Sequence, residues 1–322
     1  MNILVVTPKP PNSLHGNRVT AVRWAEILRG LGHRVRVVQE YTGQSCDALI
    51  ALHAGRSAAS VERFHQSRPD SALVVGLTGT DVYDEISRNP AARWSLDMAT
   101  RLVVLQPLAI SELPSQLRDK ARVIFQSAER PKGKFVPRED VFEVCVLGHL
   151  RPVKDPFRTA KAARLLPASS RLKVLHLGGA LSDDMERQAR AEEAANQRYQ
   201  WLGEVPRAKA LRILAASRLL VLSSELEGGA NVISEALAIP VPVLASRIPG
   251  SIGILGPDYP GYFAAGDTRA LAHLLELTES DRGFWRTLKE CCARLAPMVA
   301  PAREAQAWKS LLRELRVRTK VH

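Results

Sequence analysis

Residues 218–246, "RLLVLSSELEGGANVISEALAIPVPVLAS", decide the fold class. An apolar, strand-forming run, Leu219–Leu222, gives way to a polar loop with a double glycine, Gly228 and Gly229. A segment with helical periodicity follows, "NVISEALAI" from Asn231, and then a second apolar run, "VPVLAS". Strand, loop, helix and strand in this order predict a parallel α/β unit. In such sheets ligands bind beyond the carboxyl ends of the strands, which makes the loop Ser223–Ala230 the first place to look for chemistry.

The same alternation extends in both directions. Toward the N-terminus run "NILVV", an amphipathic stretch near Asn17 to Arg29, "RVRVV", "ALIAL", a helix near Ala58 to Gln66, "ALVVGL", "RLVVL" and "RVIF". The pattern restarts with "FEVCVLG", a helix near Pro156 to Leu166, "LKVLHLGG" and "YQWLG", and it closes with "GYFAAG". Between the halves, "ERPKGKFVPRED" from Glu129 to Asp140 combines two prolines, a glycine and dense charge, the composition of an exposed connector. The predicted domains are 1–138 and 139–300. A final segment, 301–322, carries Ala305, Trp308, Leu311, Leu312 and Leu315 at helical spacing and is expected to form a surface helix with a packing partner that the sequence leaves open, a return to the first domain being one option.

A length of 322 residues suits two cores, and 46% hydrophobic with 24% charged residues marks a globular chain. No apolar run approaches a membrane span or a signal peptide, so a cytoplasmic protein without membrane insertion is expected. Cys46 and Cys145 are isolated, and the adjacent Cys291 and Cys292 have neither disulfide nor metal spacing, so reduced thiols are expected. The formal charge of +12 points to anionic partners. The basic residues are dispersed and only 5% of residues are aromatic, so the basic stripe and stacking platform of a nucleic-acid binder are missing.

Several strand-end loops carry polar groups. "TPKPPNSLHGNR", Thr7 to Arg18, places Gly16 at a helix start, suited either to an anion or simply to a loop closed by an Asn17 cap. "TGTD", Thr78 to Asp81, is either a ligand-contacting turn, through Thr80 and Asp81, or an ordinary turn with a helix cap. "HLRPVKDP" sets His149, Arg151 and Lys154 before a helix, where two fixed cations suit a diphosphate or form a solvated loop. Asp183 and Asp184 stand at a helix start, where capping is commonplace, and no metal site is expected from them or from the scattered histidines.

In the 218–246 stretch, Glu227 and Glu235 lie eight positions apart. A helical step of that length rises about 12 Å, beyond the roughly 5 to 9.5 Å between paired glycosidase carboxylates. Separate tasks are therefore expected. The free N–H groups of Ala230, Asn231 and Val232 after the glycines suit an anion, Glu235 suits a vicinal diol such as a ribose, and Glu227 suits a second polyol. The alternative makes Glu227 a helix-start charge and Glu235 a surface residue.

Together these elements resemble the GT-B glycosyltransferases of the family 4 group. The resemblance rests on Glu227 to Glu235, "EALAIPVPVLAS", "LGHLRPVKD", "LGEVPRAKALRILAASRLLVLSSELEGG" and "GYFAAGDTRALAHLL" in the second half, and on "LRGLGHRVRVV" and "TGTD" in the first. It implies two Rossmann-like domains facing a cleft, with a nucleotide sugar on the second. Arg151 and Lys154 would hold the diphosphate, Glu235 the ribose, and Glu227 with the backbone from Gly228 to Val232 the sugar and phosphates.

The chain departs from that family at His149, where an arginine is usual, at Thr78, where a histidine often precedes "GTD", and at Pro240, where a glycine is common. "TPKPPNSLHGNRVTA", "LTGTDVY" and "GHLRPVKDPFR" more narrowly resemble the selenosugar synthases of selenoneine biosynthesis. That resemblance implies transfer of glucose or N-acetylglucosamine from a UDP-sugar to selenophosphate, with no metal and no further cofactor. A pre-ionised acceptor needs cationic positioning more than a general base, and Lys9, His15, Asn17, Arg18 and Arg56 are the candidates for its site. The alternatives are a conventional glycosyltransferase with a lipid, polysaccharide or small hydroxyl acceptor, and a non-catalytic nucleotide-sugar-binding protein.

Overall fold

The computed structural model describes residues 1–11, 16–83 and 85–318. The chain divides into two compact units, Met1–Ser127 together with the segment from Pro301, and Ala128–Ala300.

The first unit is built on six parallel strands, β1 (Asn2–Val6), β2 (Arg34–Val38), β3 (Ala48–Leu52), β4 (Ala72–Leu77), β5 (Arg101–Val104) and β6 (Ala121–Val123). Their order is β2-β1-β3-β4-β5-β6, with Ile3 of β1 beside Val35 on one side and Ala48 on the other. Every residue of β3 and β4 is buried, as expected for central parallel strands covered on both faces. One face packs under α1 (Gly16–Gly30) through Trp24, Ala25 and Leu28. The other lies under α2 (Ala58–Ser67), the single turn α3 (Glu85–Arg88) and α4 (Pro90–Met98), with Phe64 and Leu96 in the core.

The C-terminal helix, Pro301–Arg318, completes the first face. Trp308, Leu311, Leu312 and Leu315 join the α1 core, and Trp308 meets Trp24 edge to face at 4.8 Å. Its buried Glu304 accepts from Arg23 Nε (3.1 Å), Trp24 Nε1 (3.0 Å), Ser127 N (2.7 Å) and Ser127 Oγ (2.5 Å). Farther along, Arg101 and Arg122 both reach Glu314, at 2.9 and 2.8 Å.

The second unit repeats the architecture with β7 (Phe142–Leu147), β8 (Leu172–Leu177), β9 (Tyr199–Trp201), β10 (Leu219–Leu222), β11 (Val243–Ser246) and β12 (Tyr262–Phe263). The helices are α5 (Arg158–Arg164), α6 (Asp183–Ala195), α7 (Arg207–Ala216), α8 (Asn231–Ala238), α9 (Pro249–Leu255), α10 (Thr268–Ser280) and α11 (Arg282–Leu295). The strand order is β12-β11-β10-β7-β8-β9. From β7 the chain steps outward through β8 and β9, then returns to β10 on the other side and steps outward again. The winding therefore reverses between β7 and β10, which opens a crevice at their carboxyl ends.

Three expectations are corrected. The boundary falls at Ser127/Ala128 and not at 138/139. The connector is exposed in composition, with Val136 uncovered, but its backbone is tied to the second unit. Ala128 N donates to Val299 O at 3.1 Å, and the carbonyls of Arg138 and Glu139 accept from Arg218 and Arg171 at 3.0 Å each. Asn17 is not the cap of α1, because the helix already begins at Gly16. The cap of α6 is Ser182, whose hydroxyl accepts from Met185 N, with Asp183 and Asp184 in the first turn behind it. All four cysteines are free, three of them buried. No helix among the described residues is long and apolar enough to cross a membrane.

Candidate functional site

The loops after β7 and β10 meet at the winding reversal and are laced together. Glu225 N donates to Val153 O at 2.9 Å, and Ser223 Oγ lies 2.9 Å from Asp155 O and 3.2 Å from Lys154 O. Lys154 ends a single tight turn, Pro152–Lys154, that Arg151 enters with extended backbone. Asp155 then turns through the left-handed region (φ 42°), and its carboxylate takes Arg158 Nε at 2.5 Å. The turn is thus held from below by Ser223 and from behind by the Arg158 pair.

Above it the Lys154 ammonium forms an ion pair with Glu227 Oε1, which also accepts from Ser224 Oγ at 2.7 Å. The two side chains are 23% and 10% exposed, so the lysine side chain stays partly open while that of the glutamate is nearly enclosed. Gly250, in the first turn of α9, presses on the other side of Glu227. A Cβ there would sit 2.1 Å from Glu227 O, so only glycine allows this approach. Glu227 is consequently fixed in place.

Glu235 lies on α8, buried, with Oε1 2.7 Å from Arg207 Nη2 at the start of α7. Its counterion is on a different element from that of Glu227. Residue 230, the N-cap of α8, is an alanine that supplies no side-chain cap, and buried Gly228 and half-buried Gly229 precede it. The positive end of the α8 dipole therefore lies at the end of the loop that carries Glu227, and the side chain at its N-cap position supplies no cap. On the other side of the reversal, His149 Nδ1 accepts from Gly179 N at 3.2 Å.

In the first unit the candidates gather at the carboxyl ends of β1 and β4. Thr78 Oγ1 is 3.0 Å from Asn17 Oδ1, so the residue expected as a cap braces the "TGTD" turn instead. Asp81 is fully buried. Its two oxygens accept from Gly79 N (2.8 Å) and Ala54 N (3.1 Å), so it orders the turn. Gly16 is exposed at the start of α1, Lys9 is half-buried, Arg18 Nε bonds Pro11 O at 3.1 Å, and Arg56 is exposed. His15 and the side chain of Thr80 lie outside the described residues.

The sequence reading missed Ser223, Ser224 and Arg207. The serine pair at a strand end was visible but carries no distinctive spacing, and Arg207 meets Glu235 only through the fold. It also passed over His53, which is buried with φ 73° at the end of β3 and accepts from Arg56 N through Nδ1 at 3.3 Å. Among the described residues no cluster of three or more His, Cys, Asp or Glu is arranged to hold a metal ion.

The model of the family "Glycosyl transferases group 1" matches residues 127–294, just over half of the chain. The chain belongs to the group 1 glycosyltransferases. The match spans every residue of the β7/β10 crevice described above. Among solved structures, sucrose-phosphate synthase from Thermosynechococcus elongatus superposes with a TM-score of 0.79 at 16% identity, over 98% of this chain and 99% of that one. HepE from Anabaena in complex with UDP-glucose gives 0.77 at 15% identity, over 98% and 100%. A glycosyltransferase from Rickettsia africae gives 0.71 at 13%, over 98% of each chain. With its two six-stranded parallel sheets, the group 1 chain has the GT-B fold.

Proposed function

We propose that this glycosyltransferase transfers a hexosyl group from a UDP-sugar to selenophosphate. One arrangement carries the donor half of the reading. A fixed cation with an open side, Lys154, and a helix start without a side-chain cap, α8, converge on the crevice between β7 and β10. Both favour a diphosphate. A leaving UDP gains negative charge on its β-phosphate as the bond to the anomeric carbon breaks, and Lys154, Arg151 and the first turn of α8 supply the stabilising positive charge. Glu235 receives the ribose hydroxyls, and Glu227 faces the sugar. HepE, of the same fold, has been crystallised with UDP and with UDP-glucose, which supports uridine as the nucleoside.

The acceptor half rests on the first-unit sequence "TPKPPNSLHGNRVTA" and "LTGTDVY" and on the residue before "GTD". Thr78 stands there, engaged with Asn17, so that position offers a hydroxyl and no imidazole base. A selenium nucleophile already carrying negative charge has no proton to lose. Its lone pair forms the Se–C bond at the anomeric carbon while the C–O bond to UDP breaks and its electron pair leaves with the phosphate.

The test incubates the protein with UDP-glucose or UDP-N-acetylglucosamine and selenophosphate, following UDP release and a selenium-containing sugar by mass. Lys154→Ala is expected to lower turnover more than donor affinity, and Glu235→Ala the reverse. No selenium-containing sugar refutes the acceptor. UDP release with hydroxyl acceptors alone identifies a conventional glycosyltransferase, and donor binding without release under any acceptor identifies a non-catalytic binder.

A further inference from the structure

Beneath the Lys154 loop lies an imidazole that the chemistry above does not use. His176, on β8, is 1% exposed, with ring Nε2 3.1 Å from Gly148 O and Nδ1 2.9 Å from the Tyr199 hydroxyl. A carbonyl oxygen can only accept, so Nε2 carries the hydrogen and Nδ1 accepts from Tyr199. Burial lowers the His176 pKa to about 4, and the ring is neutral under working conditions. The donations therefore run in one direction, from Tyr199 to His176 to Gly148.

Gly148 is where β7 releases the chain into the loop bearing His149, Arg151 and Lys154. The 148–149 peptide stacks on Gly178 (φ 153°), where a Cβ would sit 2.0 Å from Gly148 O, so no side chain there cushions the contact. The loop is laced onward by Gly148 N to Leu177 O and Leu150 N to Gly179 O, both 2.9 Å. Those backbone bonds are open to any sequence, whereas the bond from beneath depends on His176. Gly148, Lys154, His176, Ser223 and Ser224 line one hollow at the strand ends.

We propose that His176 is a positioning residue for the donor phosphates, a tautomer-locked imidazole that orients the Gly148 peptide and thereby sets the Arg151–Lys154 turn. The proposal rests on the reading that this turn receives a nucleotide-sugar diphosphate.

Two amides separate the ring's two functions. Glutamine places its Nε2 donor where the imidazole Nε2 stood, keeping the bond to Gly148. Asparagine places its oxygen where Nδ1 stood, keeping the bond from Tyr199 and leaving the Gly148 carbonyl without its donor. UDP affinity by calorimetry and hydrogen exchange of peptides spanning 148–154 are measured on wild type, His176→Gln and His176→Asn, with thermal unfolding as the control. A lost bond to a buried carbonyl predicts about tenfold weaker UDP binding for His176→Asn, against a change of less than about threefold for His176→Gln. Exchange in the 148–154 peptides rises in the asparagine variant alone. Wild type that binds UDP while both variants match each other in affinity and exchange overturns the positioning role. An affinity loss that follows the drop in melting temperature across both variants overturns it too. Wild type that fails to bind UDP instead overturns the donor reading on which the proposal rests.

Discussion

Replacing Glu227 by Gln separates its two consequences for the site. In the resting protein Glu227 Oε1 takes both the Lys154 ammonium and the Ser224 hydroxyl. An ammonium has three donors, so a donor phosphate joins Lys154 on its open side without displacing Glu227. Two acceptors on one tetrahedral nitrogen lie about 5 Å apart, and at an effective dielectric of about 20 two unit charges at that distance repel by about 3 kcal/mol. The intervening ammonium and solvent at the 23% exposed lysine reduce this to roughly 1 to 1.5 kcal/mol. Glu227→Gln keeps the shape and the Ser224 contact and removes the charge, so UDP should bind about tenfold more tightly. Turnover should move the opposite way. If Glu227 faces the sugar as proposed, its carboxylate would stabilise positive charge developing at the anomeric carbon, and losing such a group would cost about 10²- to 10³-fold in kcat. Calorimetry with UDP and a steady-state assay of UDP release read the two effects. Unchanged or weaker UDP binding refutes the electrostatic reasoning, and a kcat within about threefold of wild type shows Glu227 to be an anchor for Lys154 only.

Glu304→Ala leaves Arg23, Trp24 Nε1 and both Ser127 donors facing a vacated buried site, and it should cost about 3 kcal/mol or more of stability, read as a lower urea midpoint; a loss under about 1 kcal/mol would show that solvent replaces the carboxylate. His176 titrates near 4 in the folded chain against 6.5 ordinarily, so between those values the unfolded chain binds the extra proton. Stability contributed by the neutral ring is therefore complete above pH 6.5 and falls as pH drops toward 4, by about 3 kcal/mol. The unfolding free energy of wild type should fall by about 3 kcal/mol relative to that of His176→Gln between pH 6.5 and 4, and parallel curves would contradict the assignment.

Much of the fold was legible because parallel strands covered on both faces are written as unbroken apolar runs. "ALIAL" and "RLLVL" could be placed as strands without knowing their neighbours, and β3 and β10 fall on them. The domain boundary was not legible in the same way. The connector's prolines and charges record its exposure, but not that Arg171 and Arg218 hold its carbonyls, because hydrogen-bond partners more than 30 residues away leave no local pattern. The same limit applies to Asp81, which looks like a ligand-facing carboxylate in "TGTD" yet is occupied by the N–H of Ala54 from the neighbouring strand end. It applies again to Glu235, whose partner Arg207 begins a helix on the far side of β10.

Spacing predicts separate tasks for the two glutamates, and their counterions lie on different elements. Carboxylates act as a proton-sharing dyad when they lie close together and repulsion between them outweighs any attraction to nearby cations. Here each is committed elsewhere, Glu227 to Lys154 on the turn after β7 and Glu235 to Arg207 on α7. Neither needs the other to balance its charge. The Glu227 pair sits at the winding reversal with the lysine side chain 23% exposed, where in the proposed function a diphosphate would add to the existing ion pair. The Glu235 carboxylate is paired with Arg207 at a helix start, and in the proposed function a neutral diol would add to it without displacing the guanidinium. On the proposed reading the eight-residue interval separates a charged subsite from a neutral one, and Gly228 and Gly229 keep the backbone directly after Glu227 free of side chains.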